Sequence, residues 1–310
     1  MFALKRLAIS PLIFLIFALL IYNIKPLFGT YDFIFSLSIN TLIQSLSISA
    51  LVVAISYFFC LFATIADDWK FITPVVFLTS MIPLIFLDIS LGIVFAVASV
   101  VAFILTFASL NTKLKTYLSF EPNSLLSPSI KHLISFLILA ISLSYFLSVN
   151  KTISEKSFQI PDSLIDASLK LAQPISSQTD QTETTQPQIS IPQEQLDLLR
   201  KNPELLKQSG LDPKILDTLN QAGKTPTTPA NLANDLIKQT IKDQIQNFIK
   251  PYIGFIPALL AVLLFFSLQF FTSLMNLLIY PLLWITFYLL EKTGFIKFTQ
   301  EMRPVKKIVV

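Results

Sequence analysis

The alternation of apolar and polar stretches divides the chain into three parts. Apolar stretches fill residues 1–150, a polar part covers 151–250, and apolar sequence resumes at 251–290 before a short tail at 291–310. A helix rising 1.5 Å per residue needs about 20 apolar residues to cross roughly 30 Å of hydrocarbon. Five stretches of the first part are long enough, the third marginally: 7–24, 46–66, 71–87, 89–110 and 132–149. The stretch Tyr252–Leu290 would be about 58 Å long as a straight helix, too long for one perpendicular crossing. The pattern therefore predicts a turn within it, near Gln269–Asn276. The expected fold is all-α: a polytopic membrane helical bundle of six or seven apolar helices, with seven the preferred count, and a partly disordered helical insert.

Residues 33–43 alternate between apolar and polar, which in water would predict a strand. An unpaired strand has no hydrogen-bond partners in lipid, so an interfacial helix or a helical lead-in to the second span is expected instead.

The polar insert has its own order. Residues 173–193 are rich in Gln, Thr, Ser and Pro and carry few large apolar side chains, which predicts a flexible tether. Upstream, Pro161–Ala172 has the apolar spacing of a short amphipathic helix. Downstream, Asn202 and Asp212 each precede a proline, and Gly210 and Gly223 stand where helices end. That punctuation predicts short helices across 193–221. From 231 to 250, Leu232, Leu236, Ile237, Ile241, Ile245 and Ile249 recur on one helical face. An amphipathic stalk is expected there, interrupted by Pro251 and followed by Tyr252 at headgroup level. Its apolar face suits packing on the preceding short helices, or a coiled coil or partner helix. Clean heptads are too few to favour the coiled coil.

Composition agrees with a lipid environment: 53% of residues are hydrophobic and 14% charged, with a mean hydropathy of +0.67. The net charge of +4 hides a partition. The insert holds 11 basic and 12 acidic side chains, which leaves 12 basic and 7 acidic for the membrane-flanking parts. The basic excess therefore flanks the spans. No basic stripe interleaved with aromatics occurs in the insert, which argues against a nucleic-acid partner. The lone Cys60 lies inside an apolar run and gives no disulfide framework.

Cationic residues near span ends favour the cytoplasm. Lys5 and Arg6 place the amino terminus there, as an uncleaved signal anchor with no small-residue cleavage pattern after it. Four crossings return the chain inside at 111–131, which carries Lys113, Lys115 and Lys131. A fifth places the insert outside the cytoplasm, in a multi-pass protein of the cell membrane. The tail breaks this scheme. Lys292, Lys297, Arg303, Lys306 and Lys307 favour the inside, whereas two further crossings would leave them outside. The conflict disappears if residues 277–290 form a re-entrant or in-plane helix, or if one of the first five stretches does not cross.

Chemistry is scarcely written in the chain. His132, the only histidine, stands beside Lys131 at the start of a span and reads as interfacial. Asp67 and Asp68 fall in the short turn DDWK with Trp69 and Lys70, which reads as solvated. Asp88 divides two apolar runs. A carboxylate within the membrane would be a functional candidate, and Asp88 is the transport candidate of this chain. A hairpin tip between two spans explains it equally simply and is the preferred reading.

Walker, dinucleotide and HExxH patterns are missing, and nothing in the sequence calls for a catalytic residue, a metal or a cofactor. Small residues four apart, such as Gly92 with Ala96, Ala98 with Ala102 and Ala140 with Ser144, allow close helix approach. No inverted repeat relates residues 1–150 to the final apolar part, so a two-repeat carrier is not expected. The expected role is a non-catalytic scaffold or interaction protein in the lipid bilayer. A protein partner would bind through residues 193–250, and the sequence leaves the oligomeric state open. The alternative is a small-solute transporter or channel subunit.

Overall fold

The computed structural model describes residues 7–35, 38–117, 120–156, 158, 242, 246 and 249–296. Eight α-helices are found among them: α1 (Ser10–Ile24), α2 (Asp32–Phe35), α3 (Ile39–Ala66), α4 (Trp69–Met81), α5 (Pro83–Phe86), α6 (Ile89–Thr116), α7 (Pro122–Lys156) and α8 (Ile256–Lys292). The described residues contain no strand. Six helical stretches among them are long and apolar enough to cross a membrane, with α4 and α5 together making one of them.

Local sequence explains most helix ends. Pro11 sits in the first turn of α1, where a missing N–H costs nothing. Ser38 and Thr41 form a reciprocal capping box, each side-chain oxygen accepting from the other's backbone N–H at 3.2 Å. That cap starts α3 at Ile39, seven residues before the apolar run at 46, so the alternating segment contains a helical lead-in as well as the short α2. Asp67 ends α3 in a left-handed conformation, with φ at 47°. Asp68 then caps α4 by accepting from the Lys70 N–H at 3.1 Å. Between α4 and α5, Pro83 cannot donate into the helix, and the Ile82 N–H turns to the Thr79 carbonyl instead. Lys113 and Lys115 lie in the last turn of α6, where cations complement the helix dipole.

Helices α1, α3, α6 and the α4–α5 pair pack on one another. At their centre Phe17 lies 5.9 Å from Phe103 and 6.2 Å from Phe95, while Phe59 lies 4.6 Å from Phe103. All four rings are buried. Gly92 lets α6 come close to α5: a Cβ there would stand 3.2 Å from the Leu84 Cα and from the Pro83 carbonyl oxygen. Ala98 and Ala102 of α6 and Ala140 of α7 line one apolar groove of about 540 Å³, with Ala102 and Ala140 buried.

Three expectations need correction. The turn near Gln269–Asn276 is not made, because α8 continues through it as one helix of 37 residues. Gln269, Thr272, Ser273 and Asn276 are spaced three, four and seven apart, which sets them along one side of a helix; the Thr272 hydroxyl donates back to the Gln269 carbonyl at 3.1 Å. The membrane-length stretches among the described residues accordingly number six, within the expected six or seven and one below the preferred count. Finally, α7 extends well beyond 132–149 at both ends, reaching Pro122 and Lys156.

The chain forms two compact units, residues 1–155 with 257–310 and residues 156–256. Within the first unit, α8 is tied to α3 by the Tyr57 hydroxyl, which donates to Thr286 Oγ1 at 2.6 Å; the Leu282 carbonyl oxygen stands 3.2 Å away as a second acceptor. Phe287 also meets Phe120, just before α7, at 5.2 Å. In the second unit, Gln246 Nε2 donates to the Phe158 carbonyl at 3.2 Å. A 3-10 segment over Lys250–Phe255 contains Pro251 and precedes α8. The tether at 173–193, the short helices of 193–221 and nearly all of the stalk lie outside the described residues.

Candidate functional site

Asp88 is exposed at the N-cap position of α6, in the short connection after α5. Its carbonyl accepts from the Gly92 N–H at 2.7 Å, and its side chain makes no capping bond. This is the geometry of a hairpin tip. His132 and Lys131 are exposed on α7. Asp67 is exposed in the turn between α3 and α4, and the Trp69 ring beside it lies edge-on to Phe107 at 4.5 Å. Asp88, Asp67 with its neighbour Asp68, and His132 are not gathered together, and no three His, Cys, Asp or Glu side chains among the described residues converge on a point where an ion would fit.

What is polar in the interior is hydroxyl and amide. Ser45, Ser49, Ser56, Thr79, Ser80, Ser99, Thr106 and Thr272 are buried in helices α3, α4, α6 and α8, as are Ser129, Ser142, Ser144 and Ser148 in α7. Several donate to a carbonyl of the preceding turn, as Ser56 does to Val52 at 2.7 Å and Thr79 to Val75 at 2.7 Å. In an apolar medium this satisfies the hydroxyl without a second helix. Ser49, Ser80, Thr106, Ser142 and Ser144 make no such bond. The amide oxygens of Gln269 and Asn276 on α8 are also buried without a donor. The spacing of these two residues, one heptad apart, is the signal that marks them as one side of a helix rather than as turn residues.

A second polar region lies at one end of the first unit, where α1 stops and α3 begins. Gln44 Nε2 of α3 donates to the Asn23 carbonyl at the end of α1, at 3.4 Å, and holds the two ends together. Asn23 Nδ2 donates in turn to the Leu19 carbonyl at 2.8 Å. Between the helix ends is an open groove of about 400 Å³, lined among others by Tyr22, Asn23, Lys25, Asn40, Gln44 and Ser47. None of the described residues lining it is acidic. The polar residues of this region come from two stretches about 20 residues apart, so no single stretch of sequence displays it. The usable signal was Tyr-Asn-Ile-Lys closing one apolar run, followed by amides at the start of the next helix.

No protein-family model, no curated protein and no solved structure matches the chain.

Proposed function

We propose that the chain is a non-catalytic multi-pass scaffold whose helical bundle anchors both ends of the 156–256 unit and presents it to a protein partner. The observation that carries this reading is the return of α8 to the first unit. The chain leaves that unit at residue 155 and re-enters it at 257, and the Tyr57–Thr286 bond fastens the returning helix. A segment held at both ends by one body is presented, not trailed.

The continuous α8 supports an orientation free of the charge conflict. At 1.5 Å per residue α8 is about 55 Å long, and a tilt of roughly 40°, near the upper end of the usual range, fits it to one crossing of bilayer and headgroups. Tyr280, Trp284 and Tyr288 recur every fourth residue and are exposed, and the Lys292 ammonium stands 5.8 Å from the Tyr288 ring. That stripe suits an interfacial belt at one membrane face. One crossing after the insert puts the basic tail on the same side as the amino terminus, the cytoplasm by the rule for cationic flanks, with the insert opposite. Topology reporters at residue 185 and at the two termini test this. The termini are expected together and residue 185 on the other side; a carboxyl terminus on the side of residue 185 would sink the reading.

A second reading, a small-solute transporter or channel, draws on the unbonded interior hydroxyls and on Gln269 and Asn276. It requires solute flux in proteoliposomes that drops when either amide is replaced by leucine. Asp88→Asn, at an exposed tip, tests the carboxylate in the same assay.

A further inference from the structure

We propose that the groove between the end of α1 and the start of α3 is a binding site for a phosphate-bearing anionic headgroup. Three independent features point to this chemistry. First, Lys25 lines the groove as an exposed cation and makes no ion pair among the described residues. Second, Asn40 lines the groove in the first turn of α3, where backbone N–H groups have no intrahelical acceptor and the helix dipole presents its positive end. The Ser38–Thr41 capping box takes up the Thr41 N–H and leaves those of Ile39 and Asn40 outside the box. Third, the hydroxyls of Ser47 and Tyr22 add neutral donors around the same space, and no carboxylate is found among its described lining residues.

Depth selects the ligand. The groove opens where the first apolar span ends, with Tyr22, 66% exposed, at the level that amphipathic rings favour. Ile43 and Pro26 give the groove an apolar wall beside its polar donors. A phosphate at Lys25 would therefore sit at headgroup height, with apolar wall available to the glycerol and first methylenes of a lipid. Free phosphate offers the same charge but no group for that wall.

The experiment uses the full-length protein in detergent. Native mass spectrometry compares retention of phosphatidylglycerol and phosphatidylcholine of matched chains, and thermal unfolding is followed with each lipid and with inorganic phosphate alone. Phosphatidylglycerol should bind roughly five- to tenfold more tightly than phosphatidylcholine, the effect expected of one interfacial cation with supporting dipoles. Lys25→Ala should abolish that preference and Lys25→Arg keep it. Asn40→Asp is the second variant: a carboxylate in the first turn suits the helix dipole, so α3 is preserved while anions are repelled. It too should abolish the preference, with an unchanged unfolding midpoint in the absence of lipid. Stabilisation by inorganic phosphate equal to that by the anionic lipid, lost in both variants, would support the site and make a soluble phosphate its ligand. Equal retention of both lipids by the wild type with no effect of phosphate, or a preference that survives Lys25→Ala and Asn40→Asp, would overturn the proposal.

Discussion

Helices α7 and α8 are 35 and 37 residues long and both apolar, yet they are held in different ways. Of the most apolar 18-residue window of α7, 61% is buried within the chain, against 22% for α8 with its 3-10 lead. Leu133, Leu137, Ile138, Ile141 and Tyr145 of α7 are buried in the first unit, whereas Phe266, Phe270, Leu277 and Trp284 of α8 are at least half exposed. The most apolar windows of the two are close in hydropathy, because lipid and protein interior are equally apolar solvents for a leucine. What separates them is packing, and packing is read from which positions find neighbours.

The largest effect that can break this comparison comes from the same substitution made in both helices. Leu137→Ala leaves a cavity among buried neighbours and should cost about 2–3 kcal/mol. That is the low end of the range for soluble cores, since the unfolded helix keeps an apolar solvent. Leu277, 75% exposed, has no comparable shell, and Leu277→Ala should leave the unfolding midpoint in detergent unchanged. Equal losses at the two positions would mean that α8 is packed as deeply as α7 in the folded protein.

Gly92 gives the next effect and concerns the packed side. Alanine normally favours a helix over glycine by about 1 kcal/mol. Here the added methyl would press on the Pro83 carbonyl and the Leu84 Cα, both backbone atoms that cannot rotate away. Overpacking costs of about 1–3 kcal/mol outweigh the propensity gain, so Gly92→Ala should be destabilising by roughly 1 kcal/mol and Gly92→Val by more. A stabilised Gly92→Ala protein would show that α5 moves aside freely. The measurement is denaturant unfolding in micelles, with the α5–α6 separation followed by a spin-label pair.

The same contrast explains how much of the molecule was legible in the sequence. The spans within residues 7–149 show in hydropathy alone, because length and apolar content are what lipid requires. Their ends depend on single side chains: Ser38 with Thr41 moved the start of α3 to Ile39, and Asp67 in a left-handed conformation ended it. The continuity of α8 is not legible from length, because a stretch too long for a perpendicular crossing can tilt instead of turning; the spacing of Gln269, Thr272, Ser273 and Asn276, which sets them on one helical side, is the signal that favours a single helix. The groove at Asn23, Lys25, Asn40 and Gln44 is legible only as polar residues closing one apolar run and opening the next helix, since the groove itself exists only once the two helix ends are brought together. The tie between Tyr57 and Thr286 lies deeper still, 229 residues apart and with no local pattern to announce it.

That tie provides the smallest effect and the sharpest comparison. Tyr57 is buried on α3, and its hydroxyl is the described hydrogen-bond link from that helix to α8. Tyr57→Phe keeps the ring and removes only the oxygen. Thr286 is not orphaned by the change, because a threonine hydroxyl in a helix can turn to the carbonyl of the preceding turn. The expected loss is therefore near the average for side-chain bonds between membrane helices, about 0.6 kcal/mol. Thr286→Val should cost a similar amount, and the double variant no more than either alone, since both remove one interaction. Fully additive losses would mean that the two side chains contribute separately. A loss of several kcal/mol from Tyr57→Phe alone would mean that α8 depends on this one bond, which its buried Leu264, Leu268, Ile279 and Leu283 argue against.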